Sequence, residues 1–140
     1  MASIHREIWI DTPPEAAWAA LRDVGAIHRR LAPGFVTDVR VEEGARVVTF
    51  GNGAVARELI VDVDDEARRL VWSVVGGAMT HHNASAQIIP EAGGTRFVWI
   101  ADLLPHALAP TIAGMIEQGL AAIRRTLERS EPETASPAPP

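Results

Sequence analysis

The chain closes with a strand, a proline and one long amphipathic stretch, and this order restricts the fold more than any other feature. Residues 94–104, Gly-Thr-Arg-Phe-Val-Trp-Ile-Ala-Asp-Leu-Leu, read as a strand that Pro105 ends. Apolar residues then recur at helical spacing from 106 to about 129. A helix of roughly 20 residues is about 30 Å long, enough to cross a small domain. Because short strands precede it, the sheet has to wrap around the helix for both apolar faces to be buried. Such a wrap rarely fills completely, so a gap between sheet and helix is expected, and function is expected to lie in what that gap holds.

A chain of 140 residues is large enough for one domain with a sizeable core. A net charge of −5, with basic residues in scattered pairs such as Arg29 and Arg30 or Arg124 and Arg125, speaks against a nucleic-acid partner. The absence of cysteine excludes disulfides, thiolate zinc sites and cysteine nucleophiles. His81 and His82 are adjacent on an expected strand and point to opposite faces, so they cannot chelate one metal. No metal and no cofactor are therefore expected. No run approaches the roughly 18 apolar residues of a membrane span. His5, Arg6 and Glu7 interrupt any leader-like start, and a cytoplasmic location is expected.

Residues 3–11 alternate as a strand. Thr12 is then the expected N-cap of a helix, with prolines in its first turn and Glu15 three residues on. That helix is expected to run to about 23 and to bury Ala16, Trp18, Ala19 and Leu21 in part. A second short helix is expected at 26–31, before Pro33 and Gly34 force a turn. Strands are expected at 35–43, 45–51, 54–64, 69–76, 80–89 and 95–103, with Asn52 and Gly53 a strong hairpin signal. The segment 130–140 has no apolar anchor and reads as a disordered Pro-rich tail behind a single domain, 1–129.

Three stretches carry a family resemblance: Ile-Asp-Thr-Pro-Pro-Glu-Ala-Ala-Trp at 10–18, Gly-Ala-Val-Ala-Arg-Glu-Leu at 53–59, and Gly-Thr-Arg-Phe-Val-Trp at 94–99. Together with the element order they resemble the START-related superfamily of birch-pollen-allergen-like proteins. The match is to small bacterial members of the polyketide cyclase/dehydrase type, over about 2–129. The resemblance implies an α+β helix-grip fold. In it an antiparallel sheet of about seven strands wraps a long C-terminal helix, with two short helices after the first strand. It specifies chemistry poorly, because the superfamily spans binders, transfer proteins and enzymes.

Hairpin register gives candidate pocket residues. With Pro90 opposite Thr95, Phe97, Trp99, Ala101 and Leu103 share a face with His82, Ala84, Ala86 and Ile88, and this more apolar face is expected inward. With Val63 opposite Arg68 and a turn near Gly77, Glu58 falls opposite Ser73, and Ser73 opposite His82. The polar trio Glu58, Ser73 and His82 is then expected beneath Phe97 and Trp99. A single β-bulge would bring in Trp72, Asn83 and Asp102 instead. Trp9 and Trp72 are placed on the outer face, where they would mark a homodimer contact. Met115 and Ile116 on the last helix suit either core or cavity floor.

These residues point first to binding of a small hydrophobic, lipid- or polyketide-like ligand by Glu58, Ser73, His82, Phe97, Trp99 and Met115. The alternative is an enzyme of the cyclase/dehydrase type with Glu58 and His82 as catalytic acid and base. For Glu58 the competing reading is an ion pair with Arg46 or Arg57, or exposure to solvent. A third possibility is a protein-interaction module.

Overall fold

Alternation of apolar and polar residues sets β1 (Ala2–Ile10) as a strand with Ile4 and Ile10 buried. The computed structural model describes residues 2–135, with side chains to Arg129. After β1 come α1 (Pro14–Arg22), α2 (Ile27–Arg30), β2 (Val36–Glu42), β3 (Ala45–Phe50), β4 (Val55–Asp64) and β5 (Arg69–Val75). Then follow β6 (His81–Glu91), β7 (Gly94–Leu104), a short 3-10 turn at His106–Leu108, and α3 (Ala109–Ala135). The expected tail begins inside α3. Residues 136–140 and the side chains from 130 onward lie outside the described residues.

The strands form one 7-stranded sheet in the order β1-β7-β6-β5-β4-β3-β2, with every neighbouring pair antiparallel. The fold is therefore the expected α+β helix-grip. The first and second strands sit on opposite edges, and α1 and α2 bridge between them. On α3, Ile116, Leu120, Ile123 and Leu127 are spaced as one helical seam, and all are buried with Leu70, Ile88, Phe97 and Leu103 of the sheet. Each fully buried side chain of this size contributes about 1.5–3 kcal/mol. The helix is also tied to β1, where Arg6 Nε donates to Glu117 Oε2 at 3.2 Å and the Asp11 N–H donates to Glu128 Oε2 at 3.0 Å. Close packing at the β1–β7 edge depends on Gly94, where a Cβ would stand 2.7 Å from both the Ile10 carbonyl oxygen and the Trp9 ring.

Several local expectations are corrected. Thr12 does not cap α1: Pro13 occupies the N-cap position without a side-chain bond, while the buried Thr12 hydroxyl has no partner. The buried face of α1 is Ala17, Trp18, Ala20 and Leu21, so Trp18 and Leu21 are buried as expected, while Ala17 and Ala20 take the places expected for Ala16 and Ala19. The β6–β7 register is as expected, with Pro90 opposite Thr95 and Ala86 opposite Trp99. The β4–β5 register is not, because Val63 pairs with Leu70 rather than Arg68. The Asp64 carboxylate accepts the Glu66 and Ala67 N–H groups, and Arg68 turns the chain at φ 52. Arg68 thus belongs to the turn, and a register shift between Ile60 and Asp62 absorbs a further residue.

Candidate functional site

Sheet and α3 enclose a cavity of about 100 Å³. Its walls are mostly apolar: Leu21 and Ile27 from the two short helices, Val48, Phe97 and Trp99 from the sheet, and Ile112, Met115 and Ile116 from α3. The ionisable side chains among its lining are Arg46, Glu58 and His82.

Arg46 and Glu58 stand directly opposite each other on β3 and β4. Arg46 Nε donates to Glu58 Oε1 at 2.8 Å, and the two side chains are only 4% and 8% exposed. Arg46 Nη1 also donates to the Val24 carbonyl at 3.3 Å, which anchors the loop after α1 to the sheet. Its guanidinium lies 5.7 Å from the centre of the Trp72 ring, close enough for a cation–π contact. Trp72 in turn meets Trp99 edge-on, with ring centroids 6.0 Å apart. Burial pushes the Glu58 carboxyl above its ordinary pKa, and the charge and hydrogen bond of Arg46 offset this only in part. His82 shifts the other way: burial, then the charge of His81, holds its imidazole below 6.5, so the ring is neutral at pH 7. Its Nδ1 is buried and has no partner.

Five of the six sequence candidates, Glu58, His82, Phe97, Trp99 and Met115, line this one cavity. Ser73 does not. It pairs with Asn83, one residue away from the expected His82, and this puts it on the outer face, where its hydroxyl donates to the His82 carbonyl at 3.4 Å. Trp72 takes the inward place. It is 6% exposed, so Trp9 and Trp72 do not form a shared outer surface. Of the alternative set, Asn83 and Asp102 pair with each other and follow Ser73 outward. The competing reading of Glu58 is the one observed, an ion pair with Arg46. Sequence reasoning missed Arg46 as a site residue, although its alternation with Val48 across β3 was a signal that it faced inward. It also missed Phe35 and Phe50, which close one side of the cavity.

Among the described residues no group of three or more His, Asp or Glu side chains is placed to hold a metal ion. No helix among them is long and apolar enough to cross a membrane.

This combination of wrapped helix and interior cavity is that of a helix-grip protein. The chain belongs to the family described as polyketide cyclase / dehydrase and lipid transport, whose model matches residues 1–128. The fold is similar to that of the XoxI protein from Bacillus cereus, with a TM-score of 0.81 at 17% identity over 94% of this chain and 99% of that one. A protein from Thermobifida fusca is similar with a TM-score of 0.72 at 26% identity, covering 92% and 95% of the two chains. Norcoclaurine synthase from Thalictrum flavum, solved with dopamine and hydroxybenzaldehyde, has a TM-score of 0.70 at 18% identity, covering 97% and 89%. No curated protein matches the chain.

Proposed function

We propose that the protein binds a small hydrophobic ligand, lipid- or polyketide-like, between the sheet and α3. The observation that carries this reading is an interior cavity with apolar walls among whose lining stand the ionisable side chains of Arg46, Glu58 and His82. Apolar walls supply the affinity, and a few convergent polar groups fix orientation. Family membership supports the same reading, since the family description includes lipid transport. Native mass spectrometry of the purified protein tests it, with a co-purified apolar molecule expected. Displacement of a hydrophobic fluorescent probe in the parent, weakened in Glu58→Gln, is the second measurement. A protein that retains no small molecule and binds no apolar probe overturns the proposal.

A cyclase/dehydrase reading is favoured by one observation, the burial that raises the Glu58 carboxyl toward the range useful for proton transfer. In that reading Glu58 exchanges the proton and neutral His82 receives or returns it. Arg46 holds Glu58 as its partner, so turnover requires the substrate to take the place of that hydrogen bond. Conversion of a co-purified molecule, lost in both Glu58→Gln and His82→Gln, separates this reading from simple binding.

A further inference from the structure

β2 forms one edge of the sheet, and among the described residues no strand pairs with its other side. An edge strand presents unpaired N–H and C=O groups that a further strand can take up. Thr37, Asp38, Arg40 and Val41 are exposed along it, Val41 to 60%. The opposite edge differs, because Glu117 and Glu128 of α3 reach across to the Arg6 side chain of β1 and to the Asp11 N–H at its end. We propose that the β2 edge is the contact surface for a second copy of this chain. The two β2 strands pair antiparallel about a two-fold axis at Val39, so that two 7-stranded sheets become one. This contact is independent of the binding reading above.

The register follows from symmetry and charge. A two-fold axis perpendicular to the sheet keeps the inner face of one copy level with the inner face of the other. Residues paired across it must then share a face, so the axis passes through a residue and never between two. An axis at Asp38 or at Arg40 sets that residue against its own copy, and like charges directly opposite are unfavourable. At Val41 only Arg40 to Glu42 stay within the strand, and Glu42 already accepts from Arg57 Nε at 3.1 Å. An axis at Val39 pairs the whole of β2, Val36–Glu42. Asp38 then faces the partner's Arg40, and Arg40 faces the partner's Asp38.

Both side chains are available for this exchange. Among the described residues Asp38 has no ion-pair partner in its own chain. Arg40 reaches only Glu42, at 3.5 Å, with 71% of its side chain exposed. Asp38 and Arg40 lie opposite Thr49 and Val47 of β3 and so share one face of the sheet. The irregularity in β2 falls between Val36 and Asp38, so the stretch from Asp38 to Glu42 that carries both charges is regular. A run of one charge along an edge repels a second copy. Here opposite charges flank Val39 symmetrically, and the edge is complementary to itself, as a two-fold contact requires. Such a contact is small, and a dissociation constant between about 1 μM and 1 mM is expected.

Sedimentation velocity of the full chain from about 10 μM to about 1 mM, at low salt and at about 0.5 M salt, tests the proposal. The parent is expected to pass from monomer to dimer over this range, and salt to weaken the dimer. Asp38→Arg and Arg40→Asp each turn both attractive pairs into repulsive ones and should weaken self-association at least about tenfold. Both positions are exposed, so the variants should keep the circular dichroism spectrum of the parent. Mixed in equal amounts, the two variants should dimerise again, because each then meets the opposite charge at both positions. A parent that stays monomeric leaves the edge to water or to a strand of another protein, and overturns the proposal. A dimer that survives both reversals uses another surface. That result, or a mixture of the two variants that stays monomeric, overturns the pairing at Val39.

Discussion

Replacing Arg46 by Met tests the physical account of the buried ion pair in the cavity wall. The side chains of Arg46 and Glu58 are 4% and 8% exposed, so little solvent screens them. At an effective dielectric of about 20, unit charges about 4 Å apart attract by about 4 kcal/mol. Removing one partner of such a pair costs about 3–5 kcal/mol, because the remaining charge stays buried without compensation. Arg46→Met and Glu58→Gln should each lose about this much, while the double variant, with no buried charge left, should lie within about 1 kcal/mol of the parent or above it. The Arg46→Met deficit should also depend on pH in a definite direction. Burial raises the Glu58 carboxyl above 4.5, and Arg46 is the partner that pulls it down, so the variant raises it further. A folded-state pKa raised in this way favours the folded state below 4.5 and loses that contribution as pH rises. The gap between variant and parent should therefore narrow from pH 7 to pH 4.5. Urea denaturation with both slopes checked gives the free energies. Two single losses that simply add in the double variant, or a gap that widens at low pH, would refute the reasoning.

Phe97→Ala, at a position 1% exposed, should cost about 3–5 kcal/mol in urea denaturation; a change under about 1 kcal/mol would place Phe97 outside the core. Gly94→Ala brings a methyl group against the Ile10 carbonyl and should cost about 1–3 kcal/mol, and an unchanged melting temperature would contradict the close β1–β7 approach. His82 has a pKa below 6.5 in the folded protein, so the unfolded chain protonates first as pH falls. Its stabilising contribution is complete above 6.5 and is lost below it, and the parent should lose stability faster than His82→Gln between pH 6.5 and 5. Parallel pH profiles for the two would place the imidazole in solvent.

The strand boundaries were legible because Gly, Pro and Asn-Gly punctuation separates the strands. The β6–β7 face was legible because its turn is short and fixes parity. The β4–β5 turn was not, because its geometry depends on Asp64 side-chain bonds and on Arg68 adopting a positive φ, choices that a periodicity count does not contain. Register was misread by one residue between Glu58 and β5 and by one more between β5 and β6. The two offsets cancel for His82 relative to Glu58, so both face inward as expected, but they do not cancel for the strand between them. Ser73 and Trp72 therefore exchange faces. The Arg46–Glu58 pair follows from alternation on two strands joined by the Asn52–Gly53 turn. The cavity volume is not encoded in any local pattern, because it is what remains after distant side chains have packed.

The pairing of β1 with β7 also governs how the chain is made. Ile10 meets Thr95 and Ala2 meets Leu103, so the first strand to leave a ribosome waits for nearly the last. At about 5–20 residues per second that delay is on the order of 5–20 s. During it Ile4, Ile8 and Ile10 have neither a ladder partner nor a helix to cover them. The β-meander from β2 to β7 can form first, each strand beside its predecessor, while the N-terminal strand remains the segment on which a chaperone, or a second unfinished chain, would take hold.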